Sequence, residues 1–218
     1  MRGETYERLI AIGDIHGRHD LLTNLVERRI IFNPAKDKLV FLGDYIDRGP
    51  RSKEVVDFIV ALRERHPGQI VLLRGNHEDL ASNALTDNRS DILPHAYMLW
   101  VLNGGLATIN SYGGLEKARE ALTPFVRSLA YYYETETHIF VHAGIPYGKS
   151  LKTVSADEML WDRSLSYEGY KTLVVGHTPQ PGVVRLGNIL CLDTGAYSTG
   201  ILSAYDVLAD RVYQAKGA

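Results

Sequence analysis

Cysteine is nearly absent from this chain of 218 residues, with Cys191 standing alone. One thiol cannot close an internal disulfide or supply a cysteine-rich zinc site. Its flanks, Asn188-Ile189-Leu190-Cys191-Leu192, read as a buried strand, so Cys191 is expected in the core rather than as a nucleophile. Long apolar runs are missing as well. No stretch approaches the roughly 20 apolar residues of a membrane span, and the polar residues 1–8 lack the apolar centre of a signal peptide. These absences point away from a membrane and toward the cytoplasm. A net charge of −2 leaves no basic footprint for nucleic acid. No repeat, low-complexity tract or linker occurs, nor a Ser-His-Asp signature or a glycine-rich phosphate loop. With 45% hydrophobic and 23% charged residues, the chain suits one globular domain over 1–218.

What is present is alternation. Residues 9–12, 39–42 and 70–73 are short apolar runs that predict buried strands. Between them, Asp20 is placed to cap a helix carrying Leu21, Leu22, Leu25 and Val26 on one face. Residues 52–65 set Val55, Val56, Ile59, Val60 and Leu62 at helical spacing. Strand, helix, strand, helix, strand predicts an α/β fold with a parallel sheet. From roughly 78 to 130 the pattern becomes helical, in pieces at 93–102, 115–122 and 125–129 broken by Gly104-Gly105, Gly113-Gly114 and Pro124. That predicts a helical insertion packed on the sheet. Strands return at 138–141, 172–175, 183–186, 189–192 and 201–205, the last three expected antiparallel.

The polar residues fall at the strand ends. Asp14 and His16 follow the first strand, Asp44, Asp47 and Arg48 the second, Asn76, His77 and Glu78 the third. His142 follows the 138–141 strand and His177 the 172–175 strand. Carboxyl ends of strands in such sheets share one edge, where ligands bind. Asp14 and His16, two apart, would point to the same side of an extended segment. Taken singly, each motif is most simply a cap, a turn or a solvated loop. Their joint arrangement after five strands is what points to a site. Imidazoles and carboxylates without thiolate suit Mn, Fe or Zn, and a pair of such ions about 3.5–4 Å apart needs a bridging carboxylate. His19, His66, His95 and His138 stand outside these motifs and are assigned to surface or core.

At these residues the chain resembles the phosphoprotein phosphatase family of calcineurin-like binuclear metallophosphoesterases, especially its compact bacterial members. The motifs are Gly13-Asp14-Ile15-His16-Gly17, Gly43-Asp44-Tyr45-Ile46-Asp47-Arg48-Gly49 and Gly75-Asn76-His77-Glu78, then His142-Ala143-Gly144 and Gly176-His177-Thr178. The resemblance implies a four-layer α/β/β/α sandwich. It implies two divalent metals, Mn²⁺ first and Fe or Zn as alternatives. Asp14 and His16 would bind one ion, Asn76, His142 and His177 the other, and Asp44 would bridge them. His77 would be the general acid, oriented by Asp47, and Arg48 and Arg163 would bind the phosphate. A metal-bridging hydroxide would attack phosphorus directly, without a phosphoenzyme.

The implied activity is that of a phosphomonoesterase on phosphoproteins, chiefly at phosphoserine and phosphothreonine, with phosphotyrosine or small phosphate esters as further substrates. A dinucleoside polyphosphate hydrolase, which uses the same metal core, is the alternative. The intact Asp47-Arg48 pair and Gly-Asn-His-Glu favour the phosphatase. Ala143, where many eukaryotic relatives carry glycine, matches bacterial members and the dinucleotide hydrolases alike. A binding module on a decayed scaffold would lack a ligand or the acid, and none is lacking here.

Overall fold

The computed structural model describes residues 6–86 and 95–217. The first half alternates as expected: β1 (Arg8–Ile12), α1 (His19–Thr23), β2 (Asp37–Phe41), α2 (Ser52–Arg65), β3 (Ile70–Leu72) and α3 (Asn76–Thr86). Four helical elements follow: α4 (His95–Trp100), a π-helical turn Val101–Gly105, α5 (Leu106–Tyr112) and α6 (Leu115–Arg127). The second half holds β4 (Tyr132–Glu134), β5 (His138–Val141), α7 (Ala156–Trp161), β6 (Thr172–Val175), β7 (Val184–Leu186), β8 (Ile189–Cys191), α8 (Ala196–Thr199), β9 (Ile201–Asp206) and β10 (Arg211–Lys216).

The strands form two sheets, ordered β10-β9-β1-β2-β3 and β4-β5-β6-β8-β7. The strand ends that carry polar residues therefore belong to two sheets rather than one. β1, β2 and β3 run parallel, as do β5, β6 and β8. Only the β7–β8 pair of the expected antiparallel trio is antiparallel; β9 crosses to the first sheet and pairs with β1 and β10. Short loops alone do not decide pairing, because a strand goes where its apolar face is covered.

Alternation along each strand explains the layers. Leu9, Ala11, Val40 and Leu42 meet Phe140, Val174, Leu190 and Leu192 between the sheets. Ile10, Ile12, Leu39 and Phe41 face the opposite way, onto Leu21, Leu22, Val55, Ile59 and Leu122 of the helices. Ile139, Val141, Leu173, Val175 and Cys191 cover the outer face of the second sheet with Met159 of α7. Both faces of each sheet are thus buried, which is why the strands read as unbroken apolar runs. Helices, sheet, sheet and helix give the α/β/β/α sandwich, and Cys191 lies in its core.

Three local expectations change. Asp20 lies inside α1 and caps nothing; Arg18 precedes the helix and its guanidinium holds the Asp20 carboxylate at 2.7 and 2.9 Å. Pro124 sits within α6 without ending it, because Ala118, Leu122, Phe125 and Val126 keep one buried stripe across it. The expected 93–102 helix is α4 over His95–Trp100 and passes into the π-helical turn at Val101; its positions 93 and 94 lie outside the described residues. No helix among the described residues is long and apolar enough to cross a membrane.

Candidate metal centre

The carboxyl ends of β1, β2, β3, β5 and β6 deliver their polar residues to one place, and all the candidate ligands are buried there. The loops that achieve this are strained. Of the eight non-glycine residues with positive φ among the described residues, five belong to the candidate set: His16, Asp44, Asp47, Arg48 and His177. Each such backbone costs about 1–3 kcal/mol and persists only where its surroundings over-determine it. At Asp44 the surrounding bonds come from Glu78 in the first turn of α3. Its carboxylate accepts the backbone N–H groups of Asp44, Tyr45, Ile46 and Gly75 at 2.9, 2.8, 3.3 and 3.0 Å.

Backbone carbonyls set the imidazole tautomers. His16 Nδ1 donates to Ile46 O at 2.8 Å and His142 Nδ1 donates to Leu42 O at 2.9 Å. A carbonyl can only accept, so in each ring Nε2 presents a lone pair. His16 Nε2 lies 3.4 Å from Asp44 Oδ2, and His142 Nε2 lies 3.4 Å from Asp44 Oδ1. Asn76 Oδ1 is 2.9 Å from His142 Nε2 and 3.0 Å from His177 Nδ1. The buried Nε2 of His177 has no hydrogen-bond partner. At His16 Nε2 against Asp44, and at His142 Nε2 against Asp44 and Asn76 Oδ1, lone pair faces lone pair, as a cation between them requires.

Electrostatics agree. Burial lowers His16 and His177 to about 3, against the opposing attraction of Asp44, so both rings are neutral at pH 7. Burial, then repulsion from Asp193 and Asp44, pushes the Asp14 carboxyl well above its ordinary range. Asp193 itself is raised by burial to about 6. Crowded buried carboxylates beside neutral imidazoles form a donor set that fits divalent cations.

His16, Asp44 and His77 form one group able to surround an ion, and Asp44, His142 and His177 a second. Asp44 is common to both. Asp14 joins neither group; its carboxylate accepts the His177 N–H at 3.2 and 3.0 Å. The extended Asp14–His16 segment expected from the sequence is absent, because His16 turns into the left-handed region at φ 46°. His77 is distinguished by its partner rather than its distance. Its Nδ1 meets Asp47 Oδ2 at 2.7 Å, a carboxylate where His16 and His142 have carbonyls, and its buried Nε2, 4.0 Å from Asp44 Oδ2, has no hydrogen-bond partner. Burial opposes its charge, yet Asp44 and Asp47 together raise His77 above an ordinary histidine.

Arg48 and Arg163 stand exposed at the rim, Arg48 Nη1 reaching His16 Nε2 at 2.8 Å and Arg163 Nη1 donating to His177 O at 3.2 Å. The capping box of Ser155 and Glu158 starts α7, whose end delivers Arg163. His19, His66, His95 and His138 join no metal-capable group among the described residues. Residues missed from the sequence are Asp193, Trp100, Thr108 and Tyr197. Asp193 alone carried a signal, as a carboxylate after a sixth buried run, 189–192.

A family model described as calcineurin-like phosphoesterase matches residues 7–207. Serine/threonine-protein phosphatase 1 of Salmonella typhimurium is 30% identical over 220 residues, covering 92% of this chain and 95% of that protein. Serine/threonine-protein phosphatase 2 of the same organism is 27% identical, covering 95% and 96%. Among solved structures, a protein proposed to be a diadenosine tetraphosphatase superposes with a TM-score of 0.70 at 20% identity, covering 97% of this chain and 94% of that one. With nearly its whole length matched and its donor set fitted to divalent cations, this chain belongs to the calcineurin-like phosphoesterase family and is a hydrolase of phosphoric esters.

Proposed function

We propose that the chain is a protein phosphatase acting chiefly on phosphoserine and phosphothreonine. The observation that carries this reading is the His77–Asp47 pair: Nδ1 bonded to a buried carboxylate, Nε2 free, and the ring's basicity raised. Serine and threonine leave as poor leaving groups and need a proton as the ester bond breaks. A nucleotide leaving group is stable as an anion and gains little from an acid. The bacterial relatives bearing the serine/threonine phosphatase name support the same choice.

In this reading Asp14, His16 and Asp44 would hold one divalent ion, and Asp44, Asn76, His142 and His177 would hold the second, with Mn²⁺ expected and Fe or Zn also suited. The ions supply Lewis-acid charge at phosphorus and an activated water at neutral pH. Arg48 and Arg163 grip the phosphoryl oxygens with guanidinium forks from the rim. Tautomers fixed by Ile46 O and Leu42 O leave Nε2 of His16 and His142 as the atoms that would bind the ions. His77 gives its Nε2 proton to the leaving oxygen, and Asp47 stabilises and aims the ring.

A side-by-side assay with Mn²⁺ tests the reading, comparing phosphoserine peptides with diadenosine tetraphosphate and identifying the products. The higher kcat/KM is expected on the peptides. A preference for the dinucleotide, with ADP as product, would replace this reading by the dinucleoside polyphosphate hydrolase.

A further inference from the structure

The carboxylate that faces His77 is held from its other side by the helical insertion. Asp47 is fully buried, as are Trp100 at the end of α4 and Thr108 in α5. Trp100 Nε1–H lies 3.0 Å from both Asp47 oxygens. The Thr108 hydroxyl donates to Asp47 Oδ1 at 2.6 Å and accepts the Asp47 backbone N–H at 2.8 Å. The turn between these two residues is fitted to the same place. Arg48 N–H donates to Gly104 O at 3.3 Å, and Gly104, at φ 100°, approaches so closely that a Cβ there would lie 2.9 Å from Arg48 N.

We propose that Trp100 and Thr108 are positioning residues for the proton donor, fixing the Asp47 carboxylate so that His77 holds its Nε2 toward the reacting ester. A carboxylate is free to rotate about its terminal bond, and either oxygen can meet a donor in several directions. The Thr108 hydroxyl occupies Oδ1 and the Trp100 N–H spans the fork, which leaves one outward direction on Oδ2 for His77 Nδ1. Being wholly buried, neither residue can touch a substrate. The insertion therefore acts on the chemistry through Asp47, beyond any part its surface takes in binding.

This inference rests on reading His77 as the acid, and the experiment separates the two. Trp100→Phe, Thr108→Val, Thr108→Ser and His77→Asn are compared on a phosphoserine peptide and on 4-nitrophenyl phosphate at saturating Mn²⁺. Trp100→Phe removes one donor to the carboxylate, and Thr108→Val removes the other together with the acceptor of the Asp47 N–H; each is expected to lower kcat about tenfold on the peptide, with KM little changed, and about twofold on the aryl ester. Thr108→Ser restores the hydroxyl and should behave like the parent on both. A merely structural role would reduce the active fraction and so cut both substrates by one factor. If His77→Asn shows the leaving-group gap while the folded donor variants lose equally on both substrates, the inference is overturned and the acid remains. An equal loss for His77→Asn overturns the acid and this inference with it. Either donor variant alone decides the matter if the other fails to fold by thermal melting.

Discussion

The Arg48 guanidinium lies over the face of Tyr197, its carbon 5.0 Å from the ring centroid, while Nη1 reaches His16 at 2.8 Å. Tyr197 sits on α8, just beyond Asp193, and is itself 43% exposed. The ring thus serves as a platform for an arginine that stands at the mouth of the site with its backbone in the left-handed region.

Tyr197→Ala should raise KM about 3- to 10-fold, the range of one partly exposed cation–π contact, with a smaller effect on kcat. Tyr197→Phe keeps the ring face and should stay within twofold of the parent. Steady-state kinetics on one phosphopeptide would settle this. An unchanged KM in Tyr197→Ala means that the stacking does not hold Arg48 for phosphate.

The metal centre predicts a stability effect separate from catalysis. Asp14, Asp44 and Asp193 are buried and crowded, so cations that relieve their repulsion should stabilise the fold by linkage. Chelator-treated protein is expected to melt at a lower temperature and to lack phosphatase activity. Added Mn²⁺ should restore both, and Asp44→Asn, which weakens the shared ligand of both groups, should blunt the rise. Full activity after thorough metal removal would sink the two-ion reading.

Much of this was legible in the chain itself. Runs such as Ile10 to Ile12 and Val174-Val175 announced strands covered on both faces, and the glycine-flanked Asp, His and Asn motifs announced the site. Pairing was less legible, because β9 is placed by what covers its faces and not by the loop before it. The supports of the site were hidden for a related reason. Trp100 and Thr108 lie 53 and 61 residues from Asp47, inside ordinary amphipathic helices, and nothing local distinguishes a core tryptophan from one that donates to a carboxylate. Motifs mark groups that touch a ligand, whereas the groups behind them are specified by long-range packing.

Gly75 is expected to be intolerant of any side chain. A Cβ built there would fall on Asp44 Oδ1 and crowd Glu78 Oε2. Since Glu78 also accepts the Gly75 N–H, the strained turn has no room to shift. Gly75→Ala should weaken Mn²⁺ activation by about tenfold or more, because displaced ligand supports cost that much in metal affinity. A titration of activity against free Mn²⁺ gives the constant, and an unaltered value would show that the loop relaxes without moving Asp44.

The far end of the same strands is held by an ion pair. Arg8 opens β1 and Asp37 opens β2, opposite each other in register. Arg8 donates to both Asp37 oxygens at 2.7 and 2.5 Å; the carboxylate has no side-chain exposure and Arg8 has 28%. The Asn33 N–H, at 2.7 Å, is the other donor to that carboxylate. Arg8→Met keeps the apolar stem but strands a buried charge, and should cost about 2–3 kcal/mol, below the cost of a fully buried pair because Arg8 is partly solvated. Adding Asp37→Asn removes that charge, so the double variant should be less destabilised than Arg8→Met alone. Urea unfolding with unchanged slope measures both. Turnover should not change, since the pair lies about 16 Å down the strand from the catalytic end. A double variant as unstable as the sum of its singles would mean that the two residues stabilise the sheet independently, and not as a pair.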